Sequence, residues 1–269
     1  MRTLLIALGL SLGLLIAGCN EVSQNQQPSV CDSKTYVIVH GAWGGGWAFR
    51  EVDDLLTTAG HKVYRPTLTG QGERVHLADL DIGLDTHIQD VINTVLFEEL
   101  NGIVLVGHSY GGMVVTGVAD RIPERISRLI YLDAFVPEDG ESVMTIRKKK
   151  ESHWVKRSKK DGFVIPTWVS ADQPAPKDVP HPLKTLTDKL VLNNPARMKI
   201  TTDYILTVEA GKEPHQDGFY PYAERARALG WPVYHLQADH NAQWSAPKEL
   251  TTMLEKISAG QYEKTRKNR

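Results

Sequence analysis

Short, unbroken aliphatic runs alternate along this chain with longer stretches in which apolar residues recur every three or four positions. Tyr36–Val39, Lys62–Tyr64, Ile103–Val106, Leu129–Leu132, Asp203–Thr207 and residues 232–237 read as strands. Between them, residues 48–59 place Phe49, Val52, Leu55 and Leu56 on one helical face, with Gly60 as the stop. Residues 86–100 do the same with Ile88, Val91, Ile92, Val95, Leu96 and Leu100, and the run after Ser109 is helix-like. Helices over 219–229 and 246–258, the latter capped by Ser245, complete the rhythm. Aliphatic strands without a polar alternation are buried on both faces. The pattern therefore predicts an α/β fold with a mostly parallel central sheet covered by helices on each side.

The rhythm stops over residues 137–200, where charge runs and prolines separate scattered apolar residues. This stretch is expected to form a small cap over the carboxyl edge of a core made of residues 35–136 and 201–260. Trp154 and Trp168 are candidates for its underside. At the front, Arg2 precedes an apolar run from Leu4 to Ala17 that is too short for a confident membrane span. Residues 1–18 read as a signal peptide, residues 19–34 as a polar tether, and residues 261–269 as a basic tail.

Charge excludes little but is informative. With 31 basic and 32 acidic side chains there is no electrostatic reason to expect a nucleic-acid partner. The clusters at 147–150 and 156–160 are local and read as solvated surface. Two cysteines, one of them in the leader region, supply no disulfide framework. No His-Glu-x-x-His is present, so no metal is expected. The Gly44–Gly46 run lacks a phosphate-loop lysine and the spacing of a dinucleotide fingerprint, so no cofactor is expected either.

The chemistry concentrates at Gly107-His108-Ser109-Tyr110-Gly111, a glycine-flanked serine between a strand and a helix. Such a turn reverses sharply, holds the serine in a strained conformation and lifts its hydroxyl above the sheet edge. A serine hydroxyl needs a base to become nucleophilic. Of 10 histidines, His240 is best placed, just past the last strand. His108 and His40 read as packed structural residues, and the others as surface. Three acids could orient the base: Asp133, at the end of the strand after the elbow helix, Glu209 and Asp217. Asp133 is favoured; Asp239 adjoins the histidine too closely. The amides of Tyr110 and Ala42 are the expected oxyanion donors. Trp43 and Leu68 are candidates for a substrate pocket.

The ordered segments HGAWGGGW, PTLTGQGER, GLDTHIQDV, VGHSYGGMV, YLDAFVPEDG and the final Asp-His before a helix together resemble the α/β-hydrolase superfamily. The likeness is to its compact bacterial esterases, related to plant methyl-ester hydrolases and hydroxynitrile lyases, and spans residues 35–260. It implies Ser109 as nucleophile, His240 as base, and hydrolysis of a small carboxylic ester. The plant enzymes carry their aspartate where this chain has Val208-Glu209-Ala210, which favours Asp133 or makes Glu209 a substitute. A lyase on the same fold is the alternative; its lysine position is Asn241 here, and Lys212 and Lys248 are the nearest lysines. A non-catalytic lipoprotein that binds a small apolar ligand is a further reading. The leader ends Ile16-Ala17-Gly18-Cys19, which resembles a bacterial lipobox with Cys19 as the lipidated residue. Asn20 resembles sorting to the outer membrane, giving a lipid-anchored protein of the cell envelope that faces the periplasm. Oligomeric state is left open.

Overall fold

The computed structural model describes residues 33–147, 159–170 and 172–262. The signal segment, Cys19, most of the tether, Trp154 and the last seven residues lie outside that range. Among the described residues, no helix is long and apolar enough to cross a membrane.

Six strands form one sheet: β1 (Thr35–Val39), β2 (Lys62–Tyr64), β3 (Ile103–His108), β4 (Ile126–Leu132), β8 (Thr201–Val208) and β9 (Val233–Gln237). Their spatial order is β2-β1-β3-β4-β8-β9 and every pairing is parallel. The predicted fold class holds, for a reason visible in single strands. Val37, Val39 and Leu105 point into one buried layer with α2 (Leu84–Phe97) and α3 (Gly111–Arg121). Tyr36, Ile38, Val104 and Val106 point into the other, with α1 (Arg50–Thr58) and the final helix Pro247–Ser258. Successive side chains on a strand alternate faces, so a strand buried on both must be apolar throughout.

The chain runs outward from β1 to β2, then crosses back to place β3 on the other side of β1. That reversal is a topological switch point, where ligands bind beyond the strand carboxyl ends. Register sets Val39 opposite Gly107 and His108 opposite Leu132, so the loops after β1, β3 and β4 emerge side by side.

Several expected boundaries move. The helix expected over 86–100 starts at Leu84 and ends at Phe97; Leu96 is exposed, while Leu100 is buried just past the end. Ser245 does not cap the last helix. Residues 242–245 form their own turn, Pro247 occupies the first turn of the next helix, and the cap position falls on Ala246. The Ser245 hydroxyl is taken by Asp239 Oδ1 at 2.9 Å. Ser33 and Lys34, assigned to the tether by composition, are tied to the domain: Ser33 Oγ donates to the Gly60 carbonyl at 2.7 Å. Gln261 and Tyr262 are helical, and the Tyr262 ring packs on Tyr234 with centroids 4.6 Å apart.

Residues 137–200 contain order that periodicity did not reveal. Three two-residue strands, β5 (Lys159–Lys160), β6 (Phe163–Val164) and β7 (His181–Pro182), form a small antiparallel sheet. The segment is tied to the loop after β1 by the Val179 amide, which donates to the Trp43 carbonyl at 2.9 Å.

Candidate active site

The turn after β3 places Ser109 at φ +55°, a left-handed conformation that side chains larger than glycine rarely adopt. Main-chain bonds hold it there. The Ser109 amide donates to the Leu132 carbonyl at 3.2 Å, and its carbonyl accepts from Gly112 and Phe135, each at 3.1 Å. A methyl on Gly107 would lie 2.8 Å from the Gly111 carbonyl, across the bend; one on Gly111 would lie 2.6 Å from the Val39 carbonyl. The two glycines are therefore steric requirements of the turn and of its contact with β1.

Three side chains from distant parts of the chain meet at this turn. His240 Nε2 lies 3.0 Å from Ser109 Oγ, and its Nδ1 lies 2.6 Å from Asp133 Oδ2. A carboxylate only accepts, so Nδ1 carries the proton and Nε2 presents a lone pair to the serine hydroxyl. Asp133 is fully buried, and its other oxygen accepts from the Thr207 amide at 3.1 Å. Phe219 stacks on the His240 ring at 4.7 Å and 11°.

The competing acids are engaged elsewhere. Glu209 is half exposed and pairs with Lys212 at 2.7 Å. Asp217 accepts from the Phe219 amide at 2.7 Å, and burial together with the nearby Asp133 charge raises its carboxyl above the ordinary range. Asp239 accepts from the Asn241 amide at 2.8 Å.

Ala42 and Tyr110 flank the serine from two loops. Among the described residues, neither main-chain amide has an acceptor. Trp43, at φ +66°, lines the same cleft. Leu68 does not. It is fully buried against the core, and its amide donates to His40 Nε2 at 3.1 Å, which holds the loop after β2 inward. The cleft has a volume of about 500 Å³ and includes Ser109, His240, Trp47, Trp168, Gln243 and Trp244.

Apart from His40, His108 and His240, the histidines are expected at the surface. His61, His87 and His181 are instead buried. His87 Nε2 donates to the Thr69 carbonyl at 3.0 Å, which leaves Nδ1 to accept from the Tyr110 hydroxyl at 2.9 Å. His181 Nε2 lies 2.7 Å from Thr185 Oγ1, and its Nδ1 is 3.3 Å from the Trp43 amide. Burial lowers His40 and His87 to about 4 and takes His181 well below its ordinary value. His108 falls to about 3, mainly through burial and then through the neighbouring His240. A layer of neutral imidazoles thus underlies the cleft. The signal for His87 was in the sequence: it lies on the apolar stripe of Leu84, Ile88, Val91 and Val95. His181 sits among prolines and offered none.

The model of the alpha/beta hydrolase family matches residues 36–252. A carbendazim hydrolyzing esterase from Nocardioides sp. (strain SG-4G) is 37% identical, over 81% of this chain and 97% of that protein. The crystal structure of the methylesterase MES16 from Arabidopsis aligns with TM-score 0.62 and 25% identity, covering 84% of this chain and 99% of that one. An extracellular α/β-hydrolase from a Paenibacillus species aligns with TM-score 0.67 and 22% identity, over 84% and 98%. With the family model spanning most of its length, this chain belongs to the alpha/beta hydrolase family.

Proposed function

We propose that this protein is a serine hydrolase of small carboxylic esters that works through an acyl-enzyme. The observation that carries this reading is the hydrogen-bonded chain Ser109–His240–Asp133 beside the Ala42 and Tyr110 amides, which have no acceptor among the described residues. Ser109 Oγ attacks the ester carbonyl carbon while His240 Nε2 takes its proton. Negative charge on the former carbonyl oxygen is met by the Ala42 and Tyr110 amides; one such donor contributes about 2.7–4 kcal/mol to the transition state. The intermediate collapses, the bond to the alcohol oxygen breaks, and His240 protonates that oxygen as it leaves. Water, deprotonated by His240, then attacks the acyl carbon and releases the acid and the serine. Asp133 holds the imidazole tautomer and stabilises the imidazolium.

The esterase relatives support the reaction class. Residues 137–200 are proposed to act as a cap that shapes substrate access, because Trp168, Gln173 and Asp178 line the cleft. The test is labelling with a fluorophosphonate and turnover of p-nitrophenyl esters of graded acyl length. Labelling and turnover that both vanish in Ser109→Ala are expected. Undiminished turnover in that variant would refute the assignment, and absence of both in the folded parent would favour a non-catalytic binder.

We also propose that Cys19 carries a lipid anchor that holds the protein at the cell envelope, a reading supported by the lipobox-like Ile16–Cys19 alone. Several acyl chains, at about 0.8 kcal/mol per buried CH₂, would make the anchoring firm. Cys19→Ser should move the protein from the membrane fraction to the soluble one.

A further inference from the structure

The Tyr110 and Ala42 amides belong to peptide units whose carbonyls are held in different ways. A trans peptide is planar, so its carbonyl oxygen and amide hydrogen point to opposite sides and turn together. Holding the carbonyl therefore aims the amide. The Tyr110 amide shares its unit with the Ser109 carbonyl, which accepts from the Gly112 and Phe135 amides, each at 3.1 Å. Main-chain bonds aim that donor.

The Ala42 amide shares its unit with the Gly41 carbonyl, and there the holding group is a side chain. His40 Nδ1 lies 2.7 Å from that oxygen, and among the described residues no main-chain amide donates to it. The ring nitrogens have separate roles. Nε2 accepts from the Leu68 amide at 3.1 Å, which leaves the proton on Nδ1 for the carbonyl. With the ring only 1% exposed, water hardly competes for either bond. Gly41 in turn lies against the nucleophile: a methyl there would sit 3.0 Å from Ser109 Cβ. A rotation of this peptide would change what its amide presents beside Ser109.

Resting on the serine-esterase reading, we infer that His40 is a positioning residue of the oxyanion hole: by donating to the Gly41 carbonyl, it aims the Ala42 amide at the oxygen that gains charge. The same bond polarises the peptide and strengthens its N–H as a donor. A neutral ester carbonyl gains little from this, whereas the charged transition state gains most, so the effect falls on kcat. His40 acts through the peptide and takes no part in bond making.

Two substitutions separate the ring's two bonds. His40→Asn keeps a donor where Nδ1 stands and gives up the acceptor for Leu68. His40→Gln keeps an acceptor near Nε2 and gives up the donor to Gly41. With p-nitrophenyl acetate, His40→Gln should lower kcat by about 10²-fold with KM within about threefold, while His40→Asn stays within about fivefold of the parent kcat. Inhibition by a trifluoromethyl ketone, whose serine adduct carries the oxyanion, should weaken in parallel with kcat. Similar losses in both variants, or a His40→Gln kcat within about fivefold of the parent, would overturn the inference. Thermal unfolding identifies a variant that has not folded, and the other then decides. If neither folds, histidine-selective nitrogen NMR of the parent decides, because a proton on His40 Nε2 in place of Nδ1 overturns the assignment. Fluorophosphonate labelling of the parent at Ser109 is read separately, so that loss of the esterase reading is distinguished from loss of this one.

Discussion

His108 Nε2 donates to the main-chain carbonyl of His240 across 2.8 Å, so the residue before Ser109 holds the loop that carries the His240 ring. A carbonyl only accepts, and a low imidazole pKa keeps the ring in this donating neutral form. The Ser109 turn and the His240 loop are thereby fastened to each other directly. Replacing His108 with Leu keeps the packing volume and deletes the tie. The expected outcome is a fall in kcat of about 10²-fold at nearly unchanged KM, as for a misplacement near 1 Å. Steady-state kinetics on a p-nitrophenyl ester check it; a kcat within twofold of the parent contradicts it.

The acid is separable from its competitors. Asp133→Asn leaves the shape but favours the wrong histidine tautomer, and should lower kcat by about 10⁴-fold. Glu209→Gln removes a half-exposed ion pair with Lys212 and should change kcat by less than about twofold. Parallel kinetics on both variants decide the matter, and comparable effects would rule out Asp133 as the orienting group.

Acid should destabilise the fold in a defined window. His40 and His87 bind protons near pH 4 when folded and His108 near pH 3, while an unfolded histidine does so near 6.5. As pH falls below 6.5 the unfolded chain takes up protons that the folded one refuses, so stability declines. The contribution of each group flattens only below its folded value. Thermal unfolding should show Tm steady above pH 7 and falling steadily from about pH 6.5 to 4. A Tm that is flat across that interval would mean the imidazoles are not held neutral.

Close approach of α3 to the chain after β4 sets a steric limit. A methyl on Gly112 would sit 2.1 Å from the Phe135 carbonyl oxygen, a main-chain atom that cannot swing aside. Gly112→Ala should cost about 1–3 kcal/mol or more in denaturant unfolding. Gly218→Ala meets nothing within 4 Å and should be neutral within about 0.5 kcal/mol. Equal stabilities would indicate that the elbow helix can shift without penalty.

What could be read from the chain follows from which physics is local. Strands such as Tyr36–Val39 were legible because burial on both faces demands uninterrupted apolar sequence. The glycine-flanked Ser109 was legible because the turn forbids side chains at fixed offsets. Asp133 could be favoured but not chosen over Glu209, since strand order, which brings β3 and β4 together, is a non-local property. Leu68 reads as a pocket candidate from the sequence; nothing local shows that its amide donates to the His40 ring and that its side chain lies in the core. The buried polar pair Thr185 and His181 was invisible, because residues in proline-rich loops carry no period that reports burial.

Placing the carboxylate at the end of β4 has a consequence beyond the hydrogen bond itself. In the proposed mechanism, nucleophile and acid then rise from adjacent strands whose spacing is fixed by the sheet, and only the histidine must travel in on a loop. Asp217 still holds the Phe219 amide beside the His240 ring, but the turn directly after β8, from Glu209 to Lys212, is then not asked for the orienting carboxylate. It becomes a stretch where length and charge can drift, or be engineered, with the proposed reaction left intact.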